Sequence, residues 1–179
     1  FIWDDCEKKR KELEKKGYEF NEPRKWPWEK IDLLISSPGI ALNFGAESFI
    51  IKESKKNKIK VVGDLEVFYQ ELKSLGIRKK IIAVTGTNGK STFVSVLNEI
   101  LQKSGLKSSI AGNIGIPVLS INADEFDIII LEVSSFQLEL IDQFRADISV
   151  ILNVHEDHNE RYESYEEYQK TKTKIFLNQ

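Results

Sequence analysis

The stretch IIAVTGTNGKST, residues 81–92, decides how this chain folds. Its first four residues are apolar and indicate a buried β-strand, and the GTNG that follows turns the chain sharply toward a segment with helical periodicity. Glycines let backbone N–H groups close around phosphate oxygens, and the N-terminus of the next helix adds partial positive charge. The stretch therefore predicts a strand, a phosphate-binding loop and a helix, and with them a bound nucleoside triphosphate.

The loop departs at one position from the general pattern G-x-x-x-x-G-K-[ST], because Val84 stands where the first glycine belongs. The alternative is an ordinary Gly/Asn turn, but the apolar strand before the loop and the helix after it favour nucleotide binding. Lys90 is expected to neutralise the β- and γ-phosphates, and the Ser91 hydroxyl to bind Mg²⁺. The predicted nucleotide-binding residues are Gly86, Thr87, Asn88, Gly89, Lys90, Ser91 and Thr92.

The composition around this stretch is typical of a soluble globular protein, with 41% hydrophobic and 30% charged residues. The net charge of −2 gives no indication of a nucleic-acid partner, and the apolar runs are too short to span a bilayer. The single cysteine, Cys6, cannot form an internal disulfide, which fits a reducing cytoplasm. The chain starts at Phe1 and contains no methionine, so we expect it to be a piece of a longer protein.

Short apolar runs alternate with amphipathic stretches along the whole chain, which predicts βαβ units and an α/β fold with a mainly parallel sheet. Runs such as DIIILEV are apolar on successive residues, as a strand covered on both faces requires. Strands are predicted at 31–36, 59–62, 80–84, 107–111, 127–133 and 147–154, with a strand end at Phe1–Trp3. Helices are predicted at 7–16, 47–56, 65–75, 92–104, 135–144 and 164–177.

A domain boundary is predicted near residues 76–79, where a small α/β unit without a phosphate loop gives way to a new unit that has the loop in its first βα turn. Residues 1–78 and 79–179 would then form two domains. The Lys/Glu runs at 7–16 and 52–60 indicate solvated helix faces.

Glu132 comes at the end of the apolar strand predicted at 127–133. A carboxylate there is costly unless it meets a charge or a metal, and the carboxyl ends of parallel strands line the ligand crevice. Glu132 is therefore predicted to face the phosphate loop as a Mg²⁺ ligand; the alternative is a strand-end acid that points to water. Ser134, Ser135 and Gln137 follow as small polar groups suited to hydrogen-bonding a ligand.

Two further segments follow strands. NVHEDH, residues 153–158, holds both histidines; either His155 or His158 is a candidate for binding a metal or orienting a substrate, and a plain polar loop is the alternative. GNIGIP, residues 112–117, predicts a tight loop where backbone approaches a ligand, and a structural turn is equally compatible. The last predicted helix carries three lysines that, taken alone, indicate a solvated face: Lys170, Lys172 and Lys174.

Taken together, these segments resemble the Mur ligase family. The resemblance rests on four motifs in this order and spacing: TGTNGKST, GNIGIP, LEVSSFQLE and NVHEDHNERY. The SSFQLE form and the ST after the loop lysine are most similar to the members that add D-glutamate. Siblings tend to carry TT there, and the folate-polyglutamate ligases, which share the fold, usually continue GKGS. SPGI at 37–40 and VVGDLEVF at 61–68 resemble the first domain of the same members.

The resemblance implies an enzyme of three domains. A Rossmann-like first domain holds the UDP group, a central domain binds ATP, and a C-terminal domain brings the amino acid. Residues 1–78 would be part of the first domain and 79–179 part of the central one, with the C-terminal domain absent from this chain. Asp4 or Asp5 resembles the family's acid near the uridine.

The resemblance also implies residue roles. Lys90 would hold the ATP phosphates, and the first of two Mg²⁺ ions would be held by Ser91 and Glu132. His158 would help to bind the second, near the reacting carboxylate. The family carries a carbamylated lysine on the following helix, which alignment of YQKTK puts at Lys172, with Lys170 and Lys174 as rivals. The implied substrate contacts are Asn113, Ser134, Gln137 and His158, with Ser37 and Gly39 of the first domain.

The implied reaction belongs to peptidoglycan precursor synthesis in the cytoplasm. The carboxylate of UDP-N-acetylmuramoyl-L-alanine attacks the γ-phosphate of ATP, and the amine of D-glutamate then displaces phosphate from the acyl phosphate. Lys90, His158 and Lys172 are the expected catalytic residues of a monomer without nucleic-acid partner or membrane insertion. Two alternatives stay open: a Mur-type ligase for another amino acid, and a nucleotide-binding fragment without turnover.

Overall fold

The computed structural model describes residues 1–40, 48–158 and 160–179, which form two parallel sheets with helices packed on them. The chain is therefore an α/β protein, as predicted. The helices are α1 Glu7–Glu14, α2 Phe49–Lys56, α3 Asp64–Ser74, α4 Lys90–Lys103, α5 Ser135–Glu139 and α6 Tyr165–Thr173. The strands are β1 Leu33–Ile35, β2 Lys60–Val62, β3 Lys80–Thr85, β4 Ser108–Gly112, β5 Ile128–Glu132 and β6 Ile148–Ile151.

The smaller sheet consists of β1 and β2, which pair in parallel with Leu33 opposite Lys60. α2 lies between them in the chain, and the Ser48 hydroxyl caps its first turn by accepting from the backbone N–H of Ile51. The core of the smaller sheet is a cluster of buried aromatic and aliphatic side chains: Trp26, Trp28, Leu34, Ile51 and Ile59. This sheet forms a hydrophobic core of its own.

The larger sheet has the strand order β4-β5-β3-β6, and every neighbouring pair is parallel. β3, which leads into the phosphate loop, lies between β5 and β6. Because parallel strands point the same way, the loops that follow all four strands meet at one edge of the sheet. That edge is where the sequence places its candidate functional residues.

Both faces of the larger sheet are covered. On one face, Val94 of α4 packs in a cluster with Ile82. On the other, Phe68 of α3 packs in a cluster with Ile81. Since these adjacent strand residues face opposite cores, β3 needs apolar side chains on both sides, which explains its continuous apolar sequence.

The strand end predicted at Phe1–Trp3 is wrong, since these residues belong to none of the strands in the described part of the chain. They run instead along the smaller core, where the Phe1 ring lies 5.9 Å from that of Trp26 and the carbonyl of Ile2 accepts from Asn21 at 3.3 Å. Phe1 and Ile2 stay exposed, at 67% and 44%, so their apolar character indicated neither strand pairing nor full burial.

The helix predicted at 135–144 is much shorter, because α5 ends at Glu139. The reason is Glu66 of α3, whose buried carboxylate accepts hydrogen bonds of 2.8–3.0 Å from the backbone N–H groups of Asp142, Gln143 and Phe144. These N–H groups are taken out of any helix, and the chain turns there.

Other elements differ from the predictions only at their ends. β6 stops at Ile151 rather than 154, because the chain then bends toward the phosphate loop. α6 stops at Thr173 and continues as a 3₁₀ turn to Phe176. α2 begins at Phe49, and the predicted start at Glu47 lies outside the described residues. None of the helices in the described ranges is long and apolar enough to cross a membrane.

Candidate nucleotide and substrate site

A cavity of about 470 Å³ lies at the edge where the strands of the larger sheet end. It collects most of the predicted site residues from separate elements: Gly39, Gly86, Thr87, Lys90, Asn113, Ser134, Gln137, His158 and Lys172. Pro38, Gly112, Phe136, Asp157 and Tyr168 complete the lining. We call it the central cavity.

The phosphate loop enters α4 through Gly89, whose φ of +82° is a left-handed conformation that favours glycine. The helix begins at Lys90, two residues earlier than predicted. The Lys90 ammonium folds back over the loop and donates to the carbonyls of Gly86 at 2.8 Å and Thr87 at 2.9 Å. The loop is therefore closed around its own lysine, which lines the central cavity.

Asn153, two residues after the end of β6, stabilises this loop. Its side-chain oxygen accepts from the backbone N–H groups of Thr87 at 3.2 Å and Asn88 at 3.0 Å, and its amide nitrogen donates to the Asn88 carbonyl. Sequence reasoning noticed Asn153 only as part of a polar segment and missed this role. Its position two residues after a strand next to the loop strand was the available signal, but the strand order was needed to use it.

Glu132 is buried, with 1% of its surface exposed, which excludes the alternative of a strand-end acid pointing to water. One carboxylate oxygen accepts from the Ser91 hydroxyl at 2.8 Å, and the other accepts from the Asn113 amide at 2.8 Å. Among the described residues no cation forms an ion pair with this carboxylate. Its negative charge is held by neutral donors only, an arrangement that suits an added cation.

The donor set around Glu132 fits Mg²⁺ in kind, because a carboxylate and a hydroxyl are the hard oxygen ligands that this ion prefers. The protein would supply two ligands there, Ser91 and Glu132, and Mg²⁺ commonly completes its shell with water and phosphate oxygens. In the described part of the chain, no group of three His, Cys, Asp or Glu side chains forms a metal site by itself.

Ser134 and Gln137 form a reciprocal cap at the start of α5. The Ser134 hydroxyl accepts from the Gln137 backbone N–H at 3.2 Å, and the Gln137 side-chain oxygen accepts from the Ser134 N–H at 3.1 Å. The Gln137 amide nitrogen donates to Asp64 of α3 at 3.0 Å. Both residues line the central cavity, but the polar atoms of Gln137 already have partners within the protein.

The two histidines have different surroundings. His155 is exposed and contacts the loop through its backbone, with its N–H donating to the Thr87 hydroxyl at 3.0 Å. His158 lines the central cavity, and its ring lies 4.7 Å from that of Phe136. It adopts a φ of +56°, and its carbonyl accepts from the Arg161 N–H at 2.8 Å. His158 is thus the histidine that the fold brings to the site.

Lys172 is almost fully buried, at 1% exposure, and lines the central cavity. Its ammonium donates to the Gly86 carbonyl at 3.0 Å and lies 4.7 Å from the centre of the Tyr168 ring. Burial, and then the nearby charge of Lys90, lower the pKa of Lys172 to about 8. The solvated-face interpretation is therefore wrong for Lys172, while Lys170 is exposed.

A second cavity, of about 680 Å³, lies over the smaller sheet. Asp4 and Asp5 line it together with Ser37 and Trp26, and Gly39 lines both this cavity and the central one. We call it the outer cavity. The two cavities therefore share a wall at the SPGI segment, which we call the SPGI loop (residues 37–40).

Comparison with known proteins adds to this geometry. The family description "Mur ligase middle domain" matches residues 84–179, which include the phosphate loop, Glu132 and Lys172. The chain belongs to the Mur ligase family.

Curated Mur ligases resemble the chain along most of its length. The UDP-N-acetylmuramoylalanine--D-glutamate ligase of Wolbachia pipientis wMel is 38% identical over 177 residues, which are 98% of this chain and 33% of that protein. The protein of the same name from Fusobacterium nucleatum is 42% identical over 153 residues, 84% of this chain and 34% of that protein. The chain spans about a third of the length of these relatives.

The fold is also that of solved Mur ligases. The crystal structure of UDP-N-acetylmuramate:L-alanyl-gamma-D-glutamyl-meso-diaminopimelate ligase from Neisseria meningitides matches with a TM-score of 0.54 at 15% identity. The match covers 98% of this chain and 58% of that one. At this identity the likeness supports the α/β fold alone.

Proposed function

We propose that the protein containing this chain is an ATP-dependent ligase that joins D-glutamate to UDP-N-acetylmuramoyl-L-alanine through an acyl phosphate. The names of the relatives from Wolbachia and Fusobacterium support the substrates. The observation that carries the mechanism is that Lys90, His158 and Lys172, from three separate segments, line one cavity. We further propose that the protein acts in the cytoplasm as a monomer.

ATP would bind with its phosphates at the loop 86–92. Lys90 would exchange the carbonyls of Gly86 and Thr87 for phosphate oxygens, because its ammonium already lies at the mouth of the loop. A carboxylate that attacks the γ-phosphate brings two anions together, so the positive charge of Lys90 favours the transition state over the separated reactants.

Two Mg²⁺ ions are part of the proposal, and the ion chemistry they supply is neutralisation of phosphate charge. Ser91 and Glu132 would hold the first, for which the buried and uncompensated carboxylate is the support. His158 and Lys172 would hold the second. Lys172 fits that role only after carbamylation, because a free lysine amine in its charged form repels a cation.

The surroundings of Lys172 favour carbamylation. The ammonium first loses a proton, and the neutral amine then attacks the carbon of CO₂. An N–C bond forms and a second proton leaves the nitrogen, so that the cation becomes an anionic carbamate with the release of two protons. With a pKa of about 8, a substantial share of Lys172 is neutral near physiological pH, in contrast to an exposed lysine. Mass spectrometry of the intact protein in bicarbonate should show the added CO₂, and Lys172→Arg should lack it.

The substrate would extend across both cavities. Its UDP end would occupy the outer cavity, with Asp4 or Asp5 near the uridine, and its alanyl carboxylate would reach the central cavity near Asn113 and His158. Gly39 lies where the two cavities meet, which supports its predicted contact with the substrate. Gln137 would act mainly by holding Ser134 in place, because its own amide is bonded to Asp64.

Phosphate release by the complete protein that contains this chain tests the proposal. UDP-N-acetylmuramoyl-L-alanine and ATP are supplied with D-glutamate or with other amino acids, and release is expected with D-glutamate only. Release with another amino acid instead would identify a sibling ligase. ATP binding without release under any combination would identify a nucleotide-binding protein.

Lys90→Ala should lower kcat/KM by at least a hundredfold, equivalent to about 3 kcal/mol of transition-state stabilisation. Lys103→Ala, which removes an exposed lysine at the other end of α4, is the matched control and should leave turnover unchanged. Turnover of the Lys90 variant near that of the control would remove Lys90 from the mechanism.

A further inference from the structure

Arg161 forms a contact that neither the phosphate loop nor the catalytic residues explain. Its guanidinium donates to three successive backbone carbonyls of the SPGI loop: Pro38, Gly39 and Ile40, each at 3.0 Å. These residues lie 121–123 positions away in the sequence. Nη1 donates to Gly39, and the two hydrogens of Nη2 are shared among Pro38, Ile40 and a carboxylate oxygen of Glu139. Because the guanidinium is a rigid planar fork, these contacts fix the loop in orientation as well as in position.

Glu139, the last residue of α5, holds the other side of the same guanidinium. Its two carboxylate oxygens accept from Arg161 at 2.8 and 3.2 Å, and the pair is largely buried, with side-chain exposures of 8% for Arg161 and 13% for Glu139. A buried charged pair keeps its geometry better than an exposed one, because water competes less for its hydrogen bonds. Arg161 is therefore held in place by α5, which follows a strand of the larger sheet, and from there contacts the SPGI loop.

The anchor is also connected to the catalytic histidine. The Arg161 backbone N–H donates to the His158 carbonyl at 2.8 Å. The guanidinium lies 4.5 Å from the centre of the Phe136 ring, and the same ring lies 4.7 Å from His158. The SPGI loop and the residues around His158 are thus held to a common set of side chains.

The SPGI loop lies between the two cavities, so its position affects both. The SPGI loop forms the shared wall of the outer and central cavities, since Gly39 lines both. A ligand with a nucleotide at one end and a reactive carboxylate at the other must pass this wall. If this wall moves, the distance between the nucleotide region of the outer cavity and the carboxylate region of the central cavity changes. The phosphate loop is held separately by Asn153, so its position does not depend on the wall.

We propose that Arg161, held by Glu139, is a positioning residue that sets the SPGI loop at the span required by the nucleotide-linked carboxylate substrate. The proposal rests on the proposed function for the identity of that substrate. In the proposed mechanism Arg161 contacts neither the reacting atoms nor ATP. Arg161 therefore sets which substrate length fits. A substrate is favoured when its carboxylate lies in the central cavity while its nucleotide lies in the outer cavity.

The test uses Arg161→Lys and Glu139→Gln in the complete protein containing this chain. Lysine keeps the charge but has no planar fork, and glutamine keeps one acceptor oxygen but loses the charge. We expect KM for UDP-N-acetylmuramoyl-L-alanine to rise about tenfold or more in Arg161→Lys and by a smaller factor in Glu139→Gln, with KM for ATP within twofold of wild type. The double variant should be no worse than Arg161→Lys, because both changes act on one contact.

Equal increases in both KM values would overturn the proposal, since they would indicate a general loss of structure that affects both substrates. A fall in kcat with both KM values unchanged would also overturn it, since a positioning role acts on substrate binding. Arg145→Lys, an exposed arginine outside both cavities, serves as the matched control. Unchanged binding of a non-hydrolysable ATP analogue verifies that each variant is folded.

A second readout does not depend on the proposed function. Amide hydrogen exchange of a peptide that covers the SPGI loop should be at least tenfold faster in Arg161→Lys, while exchange in residues 86–92 stays as in wild type. Unchanged exchange in the loop would overturn the positioning role even if the enzyme is active. If the wild-type protein shows no ligase turnover but exchange in the SPGI loop is still faster in Arg161→Lys, the positioning contact is supported and the assigned substrate is refuted.

Discussion

At the scale of single residues, the least expected feature is Glu66, a fully buried carboxylate that forms no ion pair within the described parts of the chain. Three backbone N–H groups from residues 142–144 and the Gln70 amide supply its hydrogen bonds. Burial alone would raise the pKa of Glu66, but these donors, led by the Asp142 N–H, hold it below its usual range. The charge is therefore part of the folded structure.

Glu66→Gln should lower the free energy of unfolding by about 2 kcal/mol, because it weakens the charged hydrogen bonds and turns an amide N–H toward backbone donors. Chemical unfolding followed by circular dichroism measures the change. Glu71→Gln, at an exposed position of the same helix, is the control and should stay within about 0.5 kcal/mol of wild type. An equal effect of the two substitutions would contradict the role assigned to Glu66.

The same carboxylate predicts a pH dependence. Its pKa is lower in the folded state than in the unfolded state, so the unfolded state binds more protons as the solution becomes acidic. The stability that it contributes is fully present above the unfolded pKa, near 4.5, and is lost as pH falls through the folded pKa. Unfolding measured between about pH 5 and pH 3 should therefore show a shallower loss of stability in Glu66→Gln than in wild type.

Sequence reasoning singled out residues whose chemistry is local to a motif, and their roles stay predictions; it missed residues whose partners are distant. Lys90 and Glu132 could be found because each stands at a recognisable place after a strand, and Lys172 because a resemblance singled it out of three lysines. Arg161 and Asn153 could not be assigned, since their partners lie about 120 and 65 residues away along the chain. Only the strand order and the packing bring those partners together.

At the scale of elements, the end of β4 shows how closely two backbones approach beside the site. A Cβ on Gly112 would lie 2.5 Å from the carbonyl oxygen of Glu132, and the φ of Gly112 is +101°. This glycine lets β4 and β5 end side by side, so that Asn113 reaches the Glu132 carboxylate. The sequence could not decide between a ligand loop and a structural turn here, and the glycine serves the close approach of the strands.

Gly112→Ala should lower the free energy of unfolding by about 3 kcal/mol, since backbone strain and a steric clash add together. Gly105→Ala isolates the strain alone: its φ is +86°, but nothing lies within 4 Å of the added Cβ. That control should cost about 1 kcal/mol. Comparable losses from the two substitutions, measured by chemical unfolding, would show that the approach of β4 to Glu132 is not the cause.

At the scale of the whole molecule, one hydrophobic core includes residues from both sides of the boundary predicted between residues 78 and 79. α3 precedes the boundary predicted at residue 78, yet Leu65, Phe68 and Leu72 pack in the core of the larger sheet. The two-domain division stays a prediction. The packing favours a hypothesis in which the unit that unfolds together with the larger sheet begins near Gly63, because α3 shares that sheet's core.

Phe68→Ala tests this hypothesis. It should destabilise the larger sheet by about 3–4 kcal/mol through the cavity it leaves. Hydrogen exchange read by segment should become faster in β3 and β5, with the segments of β1 and β2 much less affected. Leu75→Ala, an exposed position just after the same helix, is the control. Equal acceleration in both sheets would mean that the chain unfolds as one unit.

The brace that Asn153 forms on the phosphate loop has a consequence for how fast a nucleotide is captured. A loop that must close around its ligand adds a slow conformational step before or after the ligand collides with the protein. The observed rate of binding then levels off as ligand concentration rises. Here the backbone of Thr87 and Asn88 is already tied to the end of β6, and the ammonium of Lys90 already lies over the loop. Capture should therefore remain proportional to nucleotide concentration over a wide range, limited by collision and orientation rather than by rearrangement.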